Sequence, residues 1–145
     1  MAWVRCCGGA SAPVYSKYIY SVPSVMLGAF TYTATNSYSV TNLSDGYHID
    51  STGNSPSTVT FWNTTDFNTG GNKYLSITYT RSGSGSCYMT YGGKSIALPT
   101  GTDTTVKLDV SDLDPSVDYR ITIYNNTGNN ENSYLTMKEL AFVNS

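Results

Sequence analysis

The chain has 145 residues, 8 basic and 10 acidic, with a formal net charge of −2, a length that suits one domain around one core. Charged residues make up only 12%, about half the ~25% of an ordinary soluble domain, and Ser, Thr and Asn supply much of the polar surface instead. No run of Lys or Arg marks a nucleic-acid footprint, and no apolar run nears the ~18 residues of a membrane-spanning helix, so neither partner is expected.

Residues 1–29 show no clean periodicity and carry Trp3, Cys6, Cys7, Gly8, Gly9, Pro13 and Pro23. The first ten residues hold one Arg and no sustained apolar stretch, which does not make a signal peptide. Trp3, Val4, Tyr18, Ile19, Tyr20, Val25, Met26 and Leu27 are too apolar for a solvated tail and need a cover. We expect residues 1–29 to be an attachment arm that packs on a neighbour through Trp3, Val4, Arg5, Tyr18, Ile19 and Tyr20. A first irregular edge strand is the alternative. Adjacent Cys6 and Cys7 do not bridge each other without strain. Either could pair with Cys87, but free, mostly buried thiols are expected, and the spacing fits no zinc pattern.

Alternation of apolar with polar residues then sets in, the period of strands with one buried face. Residues 30–33 and 37–41 alternate, 42–46 form a turn, and 47–50 make a short strand. Residues 51–57 read as a polar loop, 58–63 as a strand and 64–72 as a long loop. The clearest strand is 74–80, with Leu75, Ile77 and Tyr79 on one side. Residues 82–86, Ser-Gly-Ser-Gly-Ser, read as a hairpin loop before the strand 87–91. Gly92-Gly93 is a two-residue hairpin signal, since both positions tolerate φ > 0, and 95–98 is the return strand.

Residues 99–101 turn the chain, and the strand 104–110 sends Val106, Leu108 and Val110 inward. After a turn at 112–115, the strand 119–124 sends Tyr119, Ile121 and Ile123 inward, and 125–132 is a polar loop. In the last strand Leu135 and Met137 share one parity, and Leu140 and Phe142 the other. A change of phase inside one strand needs an extra residue, so the pattern predicts a β-bulge near Lys138 and Glu139. About eight short strands and no amphipathic helix pattern give an all-β, two-sheet antiparallel sandwich, a jelly roll, over residues 30–145.

Little in the chain suits catalysis. With a single histidine, His48, no triad and no metal cluster can be assembled in the usual ways, and His48 reads as a polar strand-face residue. A glycosidase pair drawn from Asp45, Asp50 and Asp66 is not favoured by any spacing. Asp109, Asp112, Asp114 and Asp118 cluster within ten positions. The first three are candidate ligands for a structural calcium, although Asp residues beside a turn also cap their own backbone. No other cofactor is implied.

The aromatics carry more information. Tyr numbers 13 and Phe only 4. If Val59 and Phe61 face the core, Thr60 and Trp62 face away, and Tyr74, Tyr88, Arg120 and Tyr124 fall on the outward parity of their strands. Exposed Trp and Tyr rings stack on sugar faces, while Arg hydrogen-bonds hydroxyls. Trp62, Tyr88, Arg120 and Tyr124 are therefore candidate glycan-binding residues. The same rings could instead cover an interface with another subunit, or Trp62 could be core.

The succession of segments adds a resemblance. A strand ending in Phe61-Trp62 leads to Tyr74-Leu-Ser-Ile-Thr-Tyr, then to a Gly/Ser loop and Gly-Gly-Lys-Ser-Ile. Val106-Lys-Leu-Asp-Val-Ser-Asp-Leu, Tyr119-Arg-Ile-Thr-Ile-Tyr-Asn and Leu135-Thr-Met-Lys-Glu-Leu follow. Over residues 30–143 this resembles the galactose-binding-domain-like jelly rolls, found as carbohydrate-binding modules and in phage tail and capsid-fibre proteins. Trp3-Val-Arg-Cys-Cys-Gly-Gly also looks like leader segments of phage structural proteins. The resemblance implies a non-enzymatic virion protein of head-fibre, decoration or tail-associated type. Its partners would be other virion proteins, a homo-oligomer such as a trimer, and host surface glycans. The alternative is a carbohydrate-binding module of a secreted bacterial protein.

Overall fold

A computed structural model describes residues 13–22, 24–25, 31–35, 39–53, 57–62, 67–126 and 131–145. These residues form twelve β-strands and no helix. In chain order they are β1 (Lys17–Ser21), β2 (Ser24–Val25), β3 (Thr31–Thr35), β4 (Ser39–Leu43), β5 (Gly46–Gly53) and β6 (Ser57–Trp62), then β7 (Tyr74–Gly83), β8 (Ser86–Tyr91), β9 (Lys94–Ala97), β10 (Gly101–Asp109), β11 (Ile121–Asn126) and β12 (Glu131–Val143). They make two antiparallel sheets that pack as a jelly-roll sandwich. One runs β3-β6-β11-β8-β9; the other runs β10-β7-β12-β1-β2, with β5 also paired to β12 and β4 to β5.

Period-two alternation builds the core between the sheets. Val59, Phe61, Met89, Ile121 and Ile123 from the first sheet are fully buried, as are Ile49, Leu75, Ile77, Tyr79, Leu135, Met137, Leu140 and Phe142 from the second. Edge-to-face aromatic pairs join the layers: Tyr47 with Phe61 at 5.4 Å and Tyr91 with Phe142 at 5.4 Å. Such contacts add to the area that each ring removes from water.

The strand β12 is the spine of the larger sheet. One side pairs with β7 along its length, while the other pairs first with β5 (Glu131 to Met137) and then with β1 (Glu139 to Phe142). The expected bulge lies at the change of partner: the register against β7 shifts between Met137 and Glu139. The extra residue lets Leu140 and Phe142 return to the core after Leu135 and Met137, and the Lys138 carbonyl accepts a hydrogen bond from the Val22 amide.

Several expectations are corrected. Ile19 and Tyr20 are fully buried in a strand that pairs with β12. They are sandwich residues rather than arm residues, and the sheet extends across the expected boundary between 29 and 30. Tyr18 is partly exposed on the same strand; Trp3, Val4 and Arg5, like Cys6 and Cys7, lie outside the described residues. The segment 82–86 is not a hairpin, because β7 and β8 belong to different sheets. Gly83 and Gly85 take φ of 101° and 86°, and the chain crosses from one layer to the other there. Within the expected long loop 64–72, Phe67, Thr69 and Asn72 are buried, and the Tyr91 hydroxyl donates to the Phe67 carbonyl. The Gly92-Gly93 hairpin is as expected, with φ of 57° and 80° between paired Tyr91 and Lys94.

Cys87 is a free, buried thiol, and burial pushes its pKa up to about 12. Arg81, at the last inward position of β7, is only 6% exposed. Its guanidinium donates to Ser133 Oγ (3.1 Å) and to the carbonyls of Leu98 (3.0 Å), Ser84 (3.1 Å) and Gly85 (2.8 Å). Neutral oxygens thus satisfy a buried cation, and the crossover loop is tied to both layers.

Candidate functional site

The register of the five-stranded sheet decides which outward side chains are neighbours. Thr58 and Tyr88 both pair with Tyr124, Thr60 and Thr90 with Thr122, and Phe61 with Ile121. The next step sets Arg120 beside Trp62, and on the far strand Ala97 pairs with Tyr88 and Ser95 with Thr90. Three rows therefore cross the outward face. Trp62 and Arg120 form the first, Thr60, Thr122, Thr90 and Ser95 the second, and Thr58, Tyr124, Tyr88 and Ala97 the third.

All four candidate glycan-binding residues lie on this face. Trp62, Tyr88 and Tyr124 are half-buried and Arg120 is exposed, so Trp62 is not core. The Arg120 guanidinium lies over the Trp62 ring at 4.9 Å. The Tyr88 and Tyr124 rings stack with centroids 4.5 Å apart and planes 15° from parallel. Strand side chains stand roughly perpendicular to the sheet, so each pair forms a wall rather than a flat tile. Arg120, just before β11, and Tyr124 lie four positions apart, so the two walls stand about 13 Å from each other at ~3.3 Å per residue. Between them runs the threonine row, in which Thr60 Oγ1 and Thr122 Oγ1 share a hydrogen bond of 3.1 Å.

The result is an open trough with a hydroxyl floor and aromatic sides. The Tyr88 and Tyr124 hydroxyls and the Arg120 fork form no hydrogen bond with other described residues. In the tyrosine row the flanking positions among the described residues, Thr58 and Ala97, carry small side chains. Rings, hydroxyls and one guanidinium suit the binding of a polyhydroxylated chain; none of them is an acid–base pair. The floor residues Thr122 and Thr90 escaped the sequence reading, although the outward parity of their strands already marked them.

Other expected residues lie elsewhere. Tyr74 has outward parity but belongs to the opposite sheet, where Lys107 sits over its ring at 6.0 Å. His48 lies on β5, with Nε2 2.7 Å from Asp45 Oδ1 and Nδ1 3.7 Å from Asp50 Oδ2. The three candidate calcium ligands are used separately. Asp109 accepts from the amide and hydroxyl of Ser111, Asp114 does the same with Ser116, and Asp112 pairs with Lys94 at 2.9 Å. Those hydrogen bonds hold Asp109 and Asp114 below the usual carboxylate pKa. Asp109 and Asp114 thus cap their own turns while Asp112 is ion-paired, and no group of three or more metal-ligating side chains forms among the described residues.

No protein-family model matches the chain, and no curated protein matches it. Solved structures do share its fold. A variant of CBM29-2, a family 29 carbohydrate-binding module, complexed with mannohexaose is similar with a TM-score of 0.56 at 13% identity, covering 90% of this chain and 92% of that one. A second variant, complexed with cellulohexaose, gives 0.55 at 14% identity over 88% and 89%. A further family 29 module gives 0.55 at 14% over 88% and 87%. The likeness is one of fold: the jelly-roll sandwich runs through nearly the whole of each chain.

Proposed function

We propose that this chain is a non-catalytic carbohydrate-binding domain that holds a glycan in the trough on its five-stranded sheet. The observation that carries the reading is the convergence of Trp62, Arg120, Tyr124 and Tyr88 from three strands onto one outward face, around a threonine floor. The fold shared with family 29 modules that bind mannohexaose and cellulohexaose supports it. A binding domain of this kind works outside the cell, which agrees with a charge-poor, hydroxyl-rich surface.

The virion-attachment reading has less behind it. It relied on residues 1–29 as a separate arm, and Lys17–Ser21 is a strand of the sandwich. The test of glycan binding is a plant, microbial and animal glycan array followed by calorimetry on the hits. A hit should lose about tenfold or more in affinity on Trp62→Ala, since base- or sugar-sized stacking on an aromatic ring is worth about 1–3 kcal/mol. Tyr74→Ala on the opposite sheet should leave it unchanged. Binding lost equally in both variants, or absent from every glycan, rejects the trough as the site.

A further inference from the structure

Resting on the trough as a glycan site, the charge on its surface narrows the ligand. Among the described residues of the outward face, Arg120 is the one ionisable group that carries charge at neutral pH; the remainder are Thr, Ser, Ala, Trp and Tyr. The nearby acids among the described residues have partners of their own. Asp118 accepts from the Asn68 amide at 2.9 Å, Asp112 is paired with Lys94, and Asp114 is held by Ser116. Among the described residues, the walls and floor of the trough therefore carry the positive charge of Arg120 and no carboxylate.

The Arg120 side chain is also prepared for a ligand. Its guanidinium is steadied over Trp62 at 4.9 Å, which removes part of the rotamer freedom that a long side chain otherwise loses on binding. The guanidinium N–H groups form no hydrogen bond with other described residues and so remain available to a ligand. A planar fork of this kind matches a carboxylate with two parallel hydrogen bonds. The unpaired phenol hydroxyls on the other wall can donate to ring and hydroxyl oxygens of the same chain. A neutral glycan would use the rings and hydroxyls but leave the charge unanswered.

We infer that the trough prefers a uronate-bearing glycan, with one sugar carboxylate received by the Arg120 fork beside Trp62 and the following sugars laid along the threonine floor toward Tyr124 and Tyr88.

The test uses the full chain and matched ligands: de-esterified oligogalacturonate, the same oligomer with its carboxyls methyl-esterified, an oligomannuronate, and neutral mannohexaose and cellulohexaose. Calorimetry should show at least one acidic oligomer bound roughly tenfold or more tighter than the esterified or neutral ligands, as expected for a charge-assisted pair. Added salt should narrow that gap. Arg120→Gln should abolish the preference, and Arg120→Lys, which keeps the charge but not the fork, should restore only part of it. Matching melting curves confirm that each variant is folded. If neutral and acidic oligomers bind alike, and Arg120→Gln changes neither, the uronate preference is overturned while glycan binding stands. If no glycan binds at all, the site assignment falls and the preference with it.

Discussion

Replacing Arg81 by methionine tests how a buried cation without a carboxylate partner is tolerated. Met keeps most of the stem volume and removes the guanidinium. Four acceptors then lose a donor. Ser84 and Gly85 lie in a solvent-accessible loop, so water replaces Arg81 at their carbonyls. Ser133 is fully buried and Leu98 is buried too, so Ser133 Oγ and the Leu98 carbonyl have no such relief. Each unsatisfied buried acceptor costs about 1–3 kcal/mol, or about 2–6 kcal/mol for the two. The variant is spared the cost of removing a guanidinium from water on folding, which offsets part of that. A net loss of about 3 kcal/mol is expected, which for a domain of this size lowers Tm by about 6–12 °C. Urea and thermal unfolding of the two proteins measure it, and hydrogen exchange should show the amides of residues 82–86 opening first. A loss below about 0.5 kcal/mol would mean that the four hydrogen bonds contribute nothing net, and the clamp would be refuted.

Gly83→Ala should be severe, because at φ 101° its Cβ would sit 2.1 Å from the Asn132 carbonyl oxygen. Gly93→Ala, at φ 80° with nothing within 4 Å, should lose only about 1 kcal/mol, and equal losses by chemical denaturation would reject this distinction. For pH, burial holds the Asp50 carboxyl above its ordinary value of 3.8. The fold therefore favours its protonated form, and its ionisation weakens the fold as the pH rises from 3.8 through the higher folded value. Asp50→Asn keeps an acceptor for the Leu135 amide, so it should gain stability on the parent across that window and hold the gain above it. A gain that shrinks with rising pH in a urea–pH series contradicts the assignment. Asp45 has the opposite sign: its hydrogen bond to His48 lowers its pKa, so its contribution is present above 3.8 and fades as the pH falls through the lower folded value.

Alternation carried most of the fold into view. The residues expected inward on strands 74–80, 104–110 and 119–124 are buried or partly buried, and the phase change in β12 located its bulge. Parity says which face of a strand a residue takes, but not which sheet the strand joins. That is why Tyr74 was grouped with Tyr88 and Tyr124, and why a Gly/Ser loop that crosses between layers resembled a hairpin. Arg81 lay beyond such reading, because its burial depends on carbonyls from Leu98 and the crossover loop that only the closed sandwich brings together. Ile19 and Tyr20 looked like an arm because their covering strand, β12, is remote in the sequence. The trough was half visible: its aromatic walls stood out by residue type, while its floor is made of threonines, common in any strand.

The double partnership of β12 has a kinetic consequence. Three strands, β1, β5 and β7, hydrogen-bond to it, and all three precede it in the chain. Until β12 has left the ribosome, these strands present open backbone edges, and Ile19, Tyr20, Ile49 and Ile77 lack part of their cover. The larger sheet therefore closes only after synthesis of its central strand. Such long-range pairing makes folding slow, and the waiting edges are where pairing between nascent chains would begin. A surface with few charges offers little repulsion against that, so the yield of folded protein should depend on chain concentration during refolding more than its final stability would suggest.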